Sequence, residues 1–139
     1  MEITIYTDAK ASKDRFALVD INKKPIWFGR FFEPNEQWTA ELESAKKAVW
    51  LAGKVKEHFN EEVKLNLITD AEWLCYQSHP KQKGYVLTYL ANKYGVGLNV
   101  KWVSGAENPA DAYTVCSGFQ KYSDYSFENF KVQQIINNN

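Results

Sequence analysis

The chain has 139 residues, of which 45% are hydrophobic and 15% aromatic, and this content fits one domain with a sizeable core and excludes a disordered chain. Its 17 basic residues balance 17 acidic ones, so the formal net charge is zero. This balance excludes a strong overall positive field, and any binding of nucleic acid must depend on a local patch.

The first third of the chain has the pattern of a β-meander. Short runs of β-branched and aromatic residues predict strands over 2–8, Arg15–Ile21 and Pro25–Phe32. The polar turn at 22–24 separates the second strand from the third, and a loop is expected at 33–36.

A long helix is predicted after this loop. Thr39 is a suitable N-cap, and the Ala- and Lys-rich sequence that follows favours a helix ending near Phe59. Gly53 is the position in this segment that favours a helix least.

The second half of the chain alternates strands with shorter helices. We expect strands over Lys64–Thr69 and Leu98–Val103, and helices over Glu72–Ser78, Gly84–Tyr94 and Pro109–Phe119. The order β-β-β-α-β-α-α-β-α is typical of an α/β fold with an antiparallel extension at one edge of the sheet. We expect a single domain over residues 1–122, followed by a polar, partly disordered tail over 123–139.

Two predicted strands end in the same tripeptide, Thr-Asp-Ala. Asp8 closes the first strand and Asp70 closes the fourth. Ligand chemistry in open α/β sheets lies at the carboxyl ends of adjacent parallel strands, so we expect these carboxylates side by side. Like charges at that distance repel each other, and a metal ion is the usual counter-charge.

The first turn of the long helix supplies a third candidate. At about 100° per residue, Glu41 shares a helix face with small residues that suit packing on the sheet. Those residues are Ala45, Ala48 and Ala52. Glu43 falls on the opposite side near Lys46, as a surface acid would. Glu41 on its own could also serve only the helix dipole, but on the buried face we favour a functional role.

A fourth candidate follows the last predicted strand. Asn108 and Pro109 predict a turn into the final helix, with Asp111 in its first turn. An acid there is commonly structural, and the case for Asp111 depends on the other three carboxylates. Oxygen ligands without His or Cys favour Mg²⁺, or Mn²⁺. Two such ions about 4 Å apart can activate water and stabilise the leaving oxygen of a phosphodiester. We expect His58 and His79 to be surface residues without a catalytic role.

The cysteines and the chain start bear on the compartment. Cys75 and Cys116 are too few for a disulfide framework and lack metal spacing, which predicts reduced thiols in an intracellular protein. Glu2 and Asp8 interrupt the start, unlike a secretory signal, and no apolar stretch approaches the roughly 20 residues of a membrane span. We expect a soluble, cytoplasmic protein with no membrane partner.

Five segments together resemble a known family. They are YTDA at 6–9, TAEL at 39–42, ITDA at 68–71, WVSG at 102–105 and NPAD at 108–111. In this order and spacing the chain resembles a type 1 ribonuclease H domain, and more narrowly those attached to reverse transcriptases of retroelements and hepadnaviruses.

The resemblance implies a fold, a reaction and a site. The fold is ribonuclease H-like, with a five-stranded mixed sheet and helices packed on both faces. The reaction is hydrolysis of the RNA strand of an RNA–DNA hybrid with two Mg²⁺ ions, or Mn²⁺, leaving a 5′-phosphate and a 3′-hydroxyl. Recognition runs along backbones and 2′-hydroxyls. The carboxylates that match the family's metal ligands are Asp8, Glu41, Asp70 and Asp111, and the residues expected to contact the hybrid are Gln37, Trp38 and Lys10.

Departures from the family pattern leave alternatives open. The segment after Asp8 lacks the family's Gly-rich turn, the loop at 104–106 has no His, and no Arg follows Asp111. These departures, with the zero net charge, predict activity that is slow, prefers Mn²⁺ or depends on a reverse transcriptase or other partner domain for affinity. We expect a monomer, in the cytoplasm or in an intracellular viral or retroelement particle. The alternatives are a nuclease of the same fold that acts on another nucleic acid, and a non-catalytic scaffold or nucleic-acid-binding module. Lys10 stands where DEDD exonucleases usually place a second acid, which disfavours that branch.

Overall fold

The computed structural model describes residues 1–31 and 36–137 of the chain, with side chains up to residue 132. Its strands and helices follow the predicted order, except that a 3₁₀ turn takes the place of the helix predicted over Glu72–Ser78 and that one more helix follows at the end. The strands are β1 Glu2–Lys10, β2 Arg15–Asp20, β3 Pro25–Arg30, β4 Lys64–Thr69 and β5 Gly97–Trp102. The helices are α1 Gln37–Phe59, α2 Tyr85–Tyr94, α3 Asp111–Val115 and α4 Glu128–Asn137.

The five strands form one mixed, open sheet in the order β3-β2-β1-β4-β5. On one side of the central β1, the strands β2 and β3 continue as an antiparallel meander. On the other side β4 and β5 run parallel to β1, each reached through a helical crossover. The predicted α/β class with an antiparallel extension at one edge is therefore confirmed.

Helices pack on both faces of this sheet. Successive residues of a strand point to opposite faces, and β2 shows the alternation clearly. Phe16 and Leu18 join the main core with α1, α2 and α4. Ala17 and Val19 face the other way and pack with Ala110, at the start of α3.

The small-residue face of α1 brings that helix close to the sheet. Ala45, Ala48 and Ala52 are fully buried, as the helix geometry predicted. Gly53 does not interrupt the helix: a Cβ there would lie 3.1 Å from the Cβ of Tyr94. Gly53 therefore allows the end of α2 to approach α1.

Several element boundaries differ from the predictions for local reasons. The helix α1 begins at Gln37 with Glu36 as its N-cap, so Thr39 lies inside the first turn instead of capping it. Strand β1 continues to Lys10 because its pairing with β2 continues to that residue. Strand β3 ends at Arg30, whereas Phe32 and the expected loop at 33–35 lie outside the described residues.

The predicted helices after β4 and β5 are shorter than expected. In place of the helix predicted over Glu72–Ser78 there is only a 3₁₀ turn, Glu72–Cys75, before α2. Helix α3 ends at Val115, and five residues later Gln120 forms a β-bridge with Phe28 at the edge of the sheet. A chain drawn into that extended contact cannot continue the helix to Phe119.

The segment predicted to be a partly disordered tail enters the core over its described part. Tyr125 and Phe130 are buried, and the Tyr125 hydroxyl donates a hydrogen bond of 2.7 Å to Asp20 at the end of β2. Residues 123–132 are therefore packed as part of the same body, which corrects the expectation drawn from their polar composition.

We expect Phe130→Ala to lower the free energy of unfolding by about 3 kcal/mol, because it leaves a cavity in the main core. Urea unfolding should show one transition at a lower midpoint. Val132→Ala on the same helix, where the side chain is 52% exposed, is the matched control and should change stability by less than about 0.5 kcal/mol. An unchanged midpoint for Phe130→Ala would mean that α4 is not part of the cooperative unit.

Candidate functional site

The parallel pairing of β1 with β4 sets the register of two acids. Thr7 and Thr69 form the last pair of this ladder, so Asp8 and Asp70 follow on the next level of the sheet. The backbone on both sides is held by buried hydroxyls: Ser44 donates to the Asp8 carbonyl oxygen at 3.1 Å, and Thr69 accepts the Ala71 amide at 3.0 Å. The two carboxylates thus project from fixed positions.

Glu41 lies in the first turns of α1 and faces this strand end. One carboxylate oxygen accepts a hydrogen bond from the Gln37 side-chain amide, and the other accepts one from the indole of Trp73, both at 2.9 Å. Glu41 also lies near enough to Asp70 to affect its ionisation. Burial first, and the charge of Glu41 second, raise the pKa of Asp70.

Asp111 reaches the site from the other face through a buried anchor. The Asn108 side-chain amide donates to the Thr7 carbonyl at 2.9 Å, and its oxygen accepts the Ala110 amide at 3.0 Å. This side chain ties the start of α3 to the end of β1. The charge of Asp111 contributes to raising the pKa of both Asp8 and Asp70, so the four predicted acids form one electrostatic cluster.

Lys10 enters the cluster from β1 itself. It follows Asp8 by two residues and therefore points to the same face of the strand. Its ammonium lies 2.6 Å from an Asp111 oxygen and 3.9 Å from an Asp8 oxygen. The hydrogen bond with Asp111 is the main cause of the raised pKa of Lys10.

Asp8 is the most perturbed acid of the cluster. Burial in the first place, and the charge of Asp70 in the second, raise its pKa from 3.8 to about 7, against the opposing effect of Lys10. Its Oδ2 atom is buried and has no hydrogen-bond partner among the described residues. The fold thus holds an acceptor in a place where it lacks the stabilisation that a carboxylate requires.

The donor set suits a hard divalent cation. It consists of carboxylate oxygens, and one of them is buried without a donor, which is the chemistry that Mg²⁺ and Mn²⁺ require. As they stand, no three acidic, His or Cys side chains of the described residues are grouped closely enough to hold an ion. An ion bound by Asp111 would have to compete with the Lys10 ammonium, whereas the hydrogen bonds from Gln37 and Trp73 leave each Glu41 oxygen a free lone pair for a metal.

Several contacts here were missed by sequence reasoning. Gln37, expected to contact a hybrid, donates to the Ala9 carbonyl at 2.9 Å and accepts the Ala11 amide at 2.9 Å, so its side chain holds the turn after β1. Trp73 orients Glu41, and no motif marks it. Trp38, by contrast, is exposed, with the Lys83 ammonium 5.5 Å from its ring centroid.

The two histidines lie apart from the four carboxylates. His58 contacts the rings of Phe59 and Phe127 at the far end of α1. The His79 ring accepts a hydrogen bond from the Lys81 amide in the turn before α2. Within the described residues, neither contacts the cluster.

Comparison with known proteins does not identify a family. No family model matches the chain, and no curated protein matches it. Among the helices of the described residues, none has both the length and the apolar character needed to cross a membrane. The site itself therefore carries the functional interpretation.

We expect Asp8→Asn to stabilise the metal-free protein at pH 7.5 by on the order of 1–3 kcal/mol. Because the pKa of Asp8 is raised from 3.8 to about 7, its contribution to stability is present below pH 4 and is lost as the pH rises to about 7. The gain in the variant should therefore be largest above pH 7 and should shrink towards pH 4.

Urea unfolding in EDTA at several pH values measures this difference. Glu43→Gln, which removes a surface acid paired with Lys46, is the control and should show no such pH-dependent gain. Equal stability of wild type and Asp8→Asn at pH 7.5 would contradict the raised pKa of Asp8 and its unfavourable charge in the folded state.

Proposed function

We propose that this chain is a metal-dependent nuclease with a ribonuclease H-like fold. It hydrolyses the RNA strand of RNA–DNA hybrids with two divalent ions, Mg²⁺ or Mn²⁺, and leaves a 5′-phosphate and a 3′-hydroxyl. The observation that carries the proposal is the convergence of Asp8, Glu41, Asp70 and Asp111 at the carboxyl ends of two parallel strands.

The topology supports the proposed fold. A central strand with an antiparallel pair on one side and a parallel pair on the other agrees with the mixed sheet that the sequence resemblance implies. The acids lie where open α/β sheets carry their ligand chemistry. The choice of an RNA–DNA hybrid as substrate rests on the resemblance of the five segments.

In this proposal the four carboxylates hold the metal ions. When bound, two such ions supply an activated water and stabilise the leaving oxygen of the phosphodiester. The protein's own residues keep the ligands in place: Gln37 and Trp73 orient Glu41, and Asn108 anchors the helix that carries Asp111.

An open cleft beside the carboxylates offers room for a nucleic-acid backbone. It is lined by the end of β1, the start of α1 and Gly105 in the loop after β5. Trp38 is one helical turn before Glu41 and is exposed beside Lys83, so an aromatic face and a cation are available to a strand that leaves the site. With a net charge of zero, we propose that a partner domain, such as a reverse transcriptase, supplies further affinity.

We expect the protein to cleave a labelled RNA–DNA hybrid with Mg²⁺ or Mn²⁺ and to be inactive in EDTA. Asp70→Asn should lower the rate at least about 100-fold, because it removes one ligand charge from the metal site. Glu43→Gln, the same kind of acid-to-amide change at a surface position of α1, is the control and should retain the wild-type rate.

Matched duplexes separate the alternatives. Equal cleavage of double-stranded DNA or RNA would contradict hybrid specificity and favour a nuclease of the same fold with another substrate. Hybrid binding without cleavage with either metal would favour a non-catalytic module.

We expect Trp38→Ala to raise the KM for the hybrid several-fold with little change in kcat, since a stacking platform contributes about 1–3 kcal/mol per base. Steady-state kinetics over a range of hybrid concentrations measure the two constants separately. Phe119→Ala, which removes an aromatic side chain that is 75% exposed beside β3, is the control. An equal effect of both substitutions would assign no special role to Trp38.

A further inference from the structure

The position of Lys10 has a consequence for metal binding. Its side chain is 32% exposed, yet its ammonium bridges the carboxylates of Asp111 and Asp8. A lysine ammonium is a compact point charge on a flexible stem, with three donors for surrounding oxygens. Lys10 therefore neutralises part of the cluster in the same way that an ion would.

Lys10 divides the site into two unequal halves. Among the described residues, no Lys or Arg nitrogen lies within 4.0 Å of a carboxylate oxygen of Glu41 or Asp70, whereas Lys10 lies within that distance of Asp8 and Asp111. Glu41 accepts hydrogen bonds only from the neutral donors Gln37 and Trp73 among these residues. The Glu41–Asp70 half thus has no cationic nitrogen within 4.0 Å among the described residues, and Lys10 acts on Asp70 only from a longer distance.

We propose that Lys10 is an internal cation that competes with a divalent ion for the Asp8–Asp111 half of the site. This competition, which rests on the proposed nuclease function, makes metal binding sequential. The first ion binds at the Glu41–Asp70 half, and the second binds only when it displaces the Lys10 ammonium into solvent. Lys10 is then a positioning residue that sets the affinity for the second ion.

The structure favours this role over a contact with a substrate phosphate. The ammonium already has an Asp111 oxygen at 2.6 Å and lies among three acids whose charges all raise its pKa. A phosphate would have to replace these partners and would bring a further negative charge next to the acids. A divalent metal ion, by contrast, brings two positive charges to the oxygens that now contact the single positive charge of Lys10.

The test is a Mn²⁺ titration of the metal-free protein without nucleic acid, by calorimetry and by counting bound ions. The variants are Lys10→Met, which keeps a long unbranched side chain and removes its charge, and Lys10→Arg, which keeps the charge. Lys13→Met, at an exposed position in the following 3₁₀ turn, is the matched control.

For wild type we expect one tight ion and a second bound at least about tenfold more weakly. Lys10→Met should tighten the second ion about tenfold or more, and Mn²⁺ should raise its melting temperature further than that of wild type. Lys10→Arg and Lys13→Met should bind the two ions as wild type does.

Equal Mn²⁺ isotherms for wild type and Lys10→Met would overturn the proposal. So would unchanged metal binding with weakened hybrid binding in Lys10→Met, which would assign Lys10 to a substrate phosphate. If wild type cleaves the hybrid while the isotherms are equal, the competition fails and the nuclease function stands. Absence of Mn²⁺ binding in every variant would overturn both.

Discussion

The parallel ladder between β1 and β4 is the constraint on which the site depends. It ends at Thr7 and Thr69, and so it places Asp8 and Asp70 at the same level whether or not their charges tolerate each other. Burial and the charge of Asp70 then raise the pKa of Asp8, while burial and the charge of Glu41 raise the pKa of Asp70. The main-chain hydrogen bonds of the two strands hold the carboxylates in place despite this unfavourable electrostatic energy. The other groups at the site either partly compensate the charge or keep the side chains in position.

Some features of the site were readable from the sequence because they depend on local periodicity. The strands that carry Asp8 and Asp70 and the buried face of α1 below Glu41 follow from periods of two and 3.6 residues, although β1 continues two residues beyond Asp8. Contacts between distant segments were not readable. Thr39 is a residue type favoured at the N-cap. The helix nevertheless begins earlier, at Gln37, whose side chain donates a hydrogen bond to the end of β1.

The C-terminal segment shows the same limit. Its polar composition is typical of a disordered tail and led to that prediction, yet Tyr125 and Phe130 are buried. Both residues are buried by partners far away in sequence: they pack in the main core, and the Tyr125 hydroxyl donates to Asp20, more than one hundred residues earlier. The fold class could be predicted from the order of elements, whereas the membership of the core could not, because burial depends on partners that no short window contains.

The Asn108 anchor has a further consequence for how the chain folds. Its amide bonds to Thr7 across a separation of 101 residues, and the Tyr125 hydroxyl bonds to Asp20 across 105. Contacts of this sequence separation form late and slow the folding of a domain. During synthesis, the Asn108 anchor on β1 cannot form until residue 108 has emerged, long after the neighbouring strands β2 and β4. Asp111 can therefore join Asp8 and Asp70 only after β4 and β5 have been synthesised, so the four-acid cluster cannot be complete before that point.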